Sequence, residues 1–164
     1  GCLGAVAAML HLIRLFRWRG QDTWRSPLLL MLHVAYLMVP LGLASIATGA
    51  AGIAPPAVSA HVLGIGAVAG MTLAVTMRAT MGHTGRPLVA GSALTWSFAM
   101  ICAATAARVA GQHVVLGAFD GIDLSAALWT AAFGIYLWRL APWLVGPRAA
   151  RKMASPRTER STAT

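Results

Sequence analysis

Long uncharged stretches dominate the chain. From Ser26 to Met77 no residue carries a formal charge, a run of 52. A helix that crosses a bilayer needs about 20 apolar residues, so this run holds two crossings and a turn. The break falls at Gly49-Ala-Ala-Gly-Ile-Ala-Pro-Pro56, because Gly and Pro punctuate helices. The pattern predicts one span over Pro27–Thr48 and the next over Ala57–Met77. Pro87–Ala107 is another uncharged run, of 21 residues, and predicts a third span. Gly121–Val145 predicts a fourth, with Arg139 near its end among Tyr136, Trp138 and Trp143, as in an interfacial aromatic belt with a snorkelling arginine. Gly1–Ile13 is apolar too, but 13 residues reach only about 20 Å as a helix, too short to cross. It reads as the end of a truncated helix, with further helices expected before Gly1.

The expected fold is therefore all-α, a polytopic transmembrane helical bundle of four full spans plus the end of a fifth. Its parts are a helix end over 1–16, a four-span region over 17–146 and a basic tail over 147–164, expected to be disordered and cytoplasmic. Charge alternation sets the orientation. Arg14, Arg17, Arg19 and Arg25 follow the first helix, Arg78 and Arg86 follow the third, and Arg139, Arg148, Arg151, Lys152, Arg157 and Arg160 close the chain. The opposite side holds only Arg108. Basic loops stay in the cytoplasm, so the chain is expected in a bacterial inner membrane as a multi-pass protein with a cytoplasmic C-terminus.

Composition agrees. Charged residues make up 10% of the chain and mean hydropathy is +0.70, where a soluble domain carries roughly 25% charged residues. These numbers exclude a disordered chain and weigh strongly against an ordinary soluble globule. The net charge of +9 would suggest nucleic acid in a soluble protein. Here it is the positive-inside bias, and the expected partner is the lipid bilayer rather than nucleic acid.

Acidic chemistry is nearly absent. Asp22, Asp120, Asp123 and Glu159 are all read as loop or tail residues, which argues against a carboxylate proton relay or paired-carboxylate hydrolysis. Gly64-Ile-Gly66-Ala-Val-Ala-Gly70 mimics a dinucleotide loop but lies in a span, where Gly66 and Gly70 form a small-residue face for close helix packing. Cys2 and Cys102 show no paired or zinc spacing and read as packing residues.

Histidine carries the information. His11, His33 and His61 lie in predicted helices, His83 in a basic loop and His113 in the opposite one. An imidazole in a span is costly and marks a functional site, unless it only bridges helices by a hydrogen bond. His33 lies about six residues, roughly 9 Å, from the basic end of its helix, and His11 about five, roughly 8 Å, on the preceding antiparallel one. Two such imidazoles can ligate one haem iron from both sides. His61 is near the other end and cannot share a metal with His33. His33, Tyr36 and Pro40 share a face, and Pro40 kinks the helix to make room for a cofactor or merely as bundles do. Met71, Met77 and Met81 offer either soft copper ligands or apolar filler. In Met81-Gly-His-Thr-Gly-Arg-Pro87, Gly82 is expected to cap one helix and Pro87 to open the next. Arg78, Arg86 and the loop amides then suit a carboxylate or haem propionate, or the loop is only a positive-inside connection.

At this loop the chain resembles the NnrS family of bacterial membrane proteins. The matching words are Arg17-Trp-Arg-Gly20, Pro27-Leu-Leu-Leu-Met-Leu-His-Val-Ala-Tyr36, Ala60-His61, Gly66-Ala-Val-Ala-Gly-Met-Thr-Leu-Ala74, Arg78 and Gly82-His-Thr-Gly-Arg-Pro-Leu88, in order over residues 10–90. The resemblance implies a longer inner-membrane protein with bound haem and copper. Its implied role is in nitric oxide metabolism or resistance to nitrosative stress, often beside denitrification, with nitric oxide itself as a ligand. Residue by residue it points at His33, His61, His83, Arg78 and Arg86. It does not divide iron from copper among the histidines, and His11 rests on depth alone. Two other readings stay open: a cytochrome b-like electron-transfer subunit, and a transporter whose histidines line a solute path.

Overall fold

The computed structural model describes residues 1–113, 115–116 and 119–148. Five helices follow in order: α1 (Cys2–Arg17), α2 (Pro27–Ala50), α3 (Ala57–His83), α4 (Ser92–Ala110) and α5 (Gly121–Val145). The last four are long and apolar enough to cross a membrane, so the chain is a multi-pass helical membrane protein. A two-residue hairpin, β1 (Val115–Leu116) with β2 (Phe119–Asp120), leads into α5. The basic tail expected from Pro147 lies, from residue 149 onward, outside the described residues.

Helix ends moved where local chemistry overrode charge. α3 runs past the expected end at Met77 through Arg78 to His83, because an arginine can stay helical while its stem reaches toward the interface. His83 is thus the last helical residue rather than a loop residue. Gly82 lies inside the final turn, and the left-handed cap is Gly85, at φ +72°. Two hydrogen bonds close that cap, Arg86 N–H to the Met81 carbonyl at 2.9 Å and Gly85 N–H to the Gly82 carbonyl at 3.4 Å. α2 ends the same way on Gly52, at φ +73°, with Ile53 N–H on the Thr48 carbonyl. α4 begins at Ser92 rather than at Pro87, since residues 87–91 form an irregular approach in which Val89 N–H bonds the Pro87 carbonyl at 2.8 Å. Asp120 and Asp123 form a capping box at the start of α5, so Asp123 belongs to a helix rather than a loop.

Packing follows small residues. In α3, Val62–Ala69 is wound as a π-helix, with i→i+5 bonds in place of i→i+4. Gly66 and Gly70 are buried as their spacing suggested. A Cβ on Gly66 would stand 2.9 Å from Met38 Cγ of α2, and one on Gly70 would meet Ala35 of α2 and Phe98 and Ile101 of α4. Gly42 of α2 answers from the other side, where a Cβ would strike Leu63. Around this seam Leu28, Met31, Leu73, Met77, Met81, Leu94 and Ile101 form the core. Met77 and Met81, 0% and 1% exposed, are filler. α4 and α5 form an antiparallel pair locked by two buried bonds in one register, Ser97 Oγ to the Ala132 carbonyl and Ser125 Oγ to the Ala104 carbonyl, each 2.8 Å. α1 packs on α2, with Gly4 against Leu43 and Ala47.

Candidate functional site

The turn between α1 and α2 folds Trp18 and Gly20 over the first turns of α2. Arg19 takes a left-handed conformation there, φ 52°, and ties back to Asp22 at 2.8 Å. The Trp18 ring then stands 4.6 Å from Tyr36 and edge-on to His33 at 6.2 Å, with the Arg14 guanidinium over its other contact surface at 5.0 Å. Gly20 lies against the imidazole itself. A Cβ there would be 3.0 Å from His33 Cδ2, so a larger residue would press the turn against the imidazole, and glycine lets it close this tightly.

His33 is held in one tautomer. Its Nδ1 lies 2.8 Å from the Leu29 carbonyl, one helical turn back. A carbonyl only accepts, so Nδ1 carries a proton, and in the neutral ring this leaves the lone pair on Nε2. That Nε2 is buried with no hydrogen-bond partner among the described residues. Buried polar atoms are nearly always paired, so an orphaned acceptor calls for a ligand. Metal-binding histidines commonly have this arrangement, one ring nitrogen fixed by a backbone carbonyl and the other free to ligate.

Two clefts meet beside this histidine. One, of about 470 Å³, is lined by Trp18, Leu32, His33, Tyr36 and Met71. The other, of about 380 Å³, is lined by Leu32, Val75, Arg78, Ala79, Gly82, His83 and Leu88. Leu32 forms a wall of both, and Met71, Val75 and Arg78 follow one face of α3 from the first to the second. An imidazole and a thioether at one end and a guanidinium at the other suit a flat iron macrocycle with carboxylate arms, or a soft metal alone.

The remaining expected residues are distributed differently. His11, half-buried, has its Nδ1 2.7 Å from the Tyr36 hydroxyl, so it reaches the His33 cleft only through Tyr36. His83 is exposed and lies in the Arg78 cleft. His61 stands at the opposite end of α3, apart from both clefts. Arg86, grouped with Arg78 by sequence, turns instead to α5, its guanidinium 4.9 Å from the Trp143 ring. Among the described residues no three His, Cys, Asp or Glu side chains converge on one point. Sequence reasoning missed Trp18 and Gly20 as walls of the site, although both stand in the Arg17–Gly20 word. It left Met71 undecided between ligand and filler, and Met71 is the one of its three methionines to line the His33 cleft.

No curated protein and no solved structure matches the chain. The model of the family described as NnrS protein matches residues 1–148, which includes every helix and both clefts. The chain belongs to the NnrS protein family.

Proposed function

We propose that the protein is a haem–copper protein of the bacterial inner membrane that contributes to nitric oxide metabolism or to resistance against nitrosative stress, with His33 as the principal ligand. The observation that carries this reading is His33 Nε2, buried and unpartnered among the described residues, on a ring whose Nδ1 is engaged by the Leu29 carbonyl. The residues present fit such a group: His33 to ligate, Met71 in the same cleft as a soft second donor, and Arg78 in the adjoining cleft to pair with carboxylate arms. When bound, iron or copper supplies affinity for nitric oxide, a small apolar gas that concentrates in lipid. The chain's own part is to orient the imidazole, exclude water with Trp18 and Leu32, and hold a hydroxyl, Tyr36, at the cleft wall. His11 is engaged by Tyr36, which favours His33 alone over the two-imidazole clamp of a cytochrome b-like subunit. His83, exposed beside Arg78, and His61, at the other end of α3, are the candidates for copper outside the His33 cleft.

The test is an optical spectrum of the purified full chain, oxidised and reduced, with and without nitric oxide, beside His33→Ala and His61→Ala. A Soret band that shifts with nitric oxide, lost in His33→Ala with helix content intact, is the expected result. A colourless parent after haem-replete expression refutes the haem reading and returns the transporter.

A further inference from the structure

Away from both clefts, the basic end of the bundle holds a second unexplained group. Arg86, from the loop after α3, and Arg139, from α5, each place a guanidinium carbon 4.9 Å from the centre of the Trp143 ring. Their charges are therefore within about 10 Å of each other, roughly one Debye length in physiological salt, and the partial burial of Arg86 weakens the screening between them. Among the described residues the only ion pair is Arg19 with Asp22, so no carboxylate there neutralises either arginine. Arg86 Nη1 is moreover buried, with no hydrogen-bond partner among the described residues. Two cations gathered on one ring, one of them with an unsatisfied buried nitrogen, suit a counter-anion.

The surroundings narrow its chemistry. Beside Trp143, Trp138, Leu144 and Val145 are exposed, with Val145 88% accessible, so the charged stack sits at the edge of a lipid-facing apolar surface. Planar guanidinium forks match phosphate oxygens two at a time. We propose that Arg86, Trp143 and Arg139 form a binding site for a phosphate group, carried by an anionic lipid headgroup or by free phosphate. The site is separate from the His33 and Arg78 clefts, neither of which Arg86 lines.

Charge-conserving variants separate this site from the general attraction of a basic protein for anionic membranes. The full chain is reconstituted in phosphatidylcholine vesicles containing a minor fraction of phosphatidylglycerol, and retained lipid is read by native mass spectrometry. Arg139→Lys and the double variant Arg86→Lys/Arg139→Lys keep the net charge but lose the planar fork. In a second arm, inorganic phosphate is titrated onto the protein in phosphatidylcholine alone while tryptophan fluorescence is followed, with Trp143→Phe as the reference. Preferential retention of phosphatidylglycerol that falls about tenfold in a lysine variant identifies a lipid site; the factor corresponds to one charge-assisted hydrogen bond. A phosphate-dependent signal that needs both Trp143 and Arg139 identifies the free ion. Arg139 is exposed, so its variant decides the matter if the double variant does not fold. Unchanged lipid preference in the folded lysine variants, with no Trp143-dependent phosphate response, overturns the proposal.

Discussion

Replacing His33 with leucine should make the cofactor-free protein more stable, although the change deletes a hydrogen-bonded side chain. An acceptor left buried and unpaired costs about 1–3 kcal/mol, and His33 Nε2 is such an acceptor. Against this stands the Nδ1 bond to the Leu29 carbonyl, worth about 0.5–1.5 kcal/mol net. That carbonyl also belongs to the α2 backbone ladder, so removing the imidazole leaves no new orphan. The balance is a gain of about 1 kcal/mol for His33→Leu. Tyr36→Phe should go the other way by about the same amount, because it strips the partner from His11 Nδ1 and leaves that nitrogen unpaired. Denaturant unfolding of both variants in detergent micelles, on protein made without haem and with copper chelated, reads the two signs directly. With cofactor supplied, the order should invert, since the parent gains binding energy that His33→Leu cannot. A His33→Leu protein that is less stable than the parent without cofactor would mean that Nε2 is satisfied within the fold, and the argument for a ligand there would collapse.

Two further results follow from the packing. Gly85→Ala forces a side chain into the left-handed region and should cost about 1–2 kcal/mol, whereas Gly82→Ala, in the last turn with open space around it, should be neutral or stabilise by up to about 1 kcal/mol; equal thermal shifts for the two would place the cap wrongly. Ser97→Ala and Ser125→Ala each remove one interhelical bond worth about 0.6 kcal/mol inside a bilayer. The bonds are about 10 Å apart along the pair, so the double variant should show the sum in denaturant unfolding, and strong non-additivity would argue against independent contacts.

Much of the site was readable because its parts are local. His33 and Tyr36 are three residues apart on one helix, so periodicity alone puts them on one face, and both line one cleft. The buried roles of Gly66 and Gly70 followed from four-residue spacing in the same way. What misled was the use of charge to end helices. The charge of Arg78 predicts the boundary of α3, but helical hydrogen bonds continue through it, and with them His83 and Gly82 pass from loop to helix. The π-wound segment over Val62–Ala69 was also invisible, since nothing in an apolar run announces which residue will be inserted into the turn.

The sequence by itself determined that four segments are long and apolar enough to cross a membrane, and which histidines deserve notice. Those properties depend on hydropathy and charge summed over whole segments, and such sums tolerate errors of a few residues. The tertiary structure alone decided how the candidates are partnered. Arg78 and Arg86 are eight residues apart, yet one faces the clefts beside α2 and the other stacks on Trp143 of α5. His11 and His33 share a depth, yet the first is bound to Tyr36 and the second keeps a bare nitrogen. A side chain's partner depends on helix rotation and on the turn that closes over it, and here Gly20, by leaving out a single carbon, allows that turn to close against the imidazole.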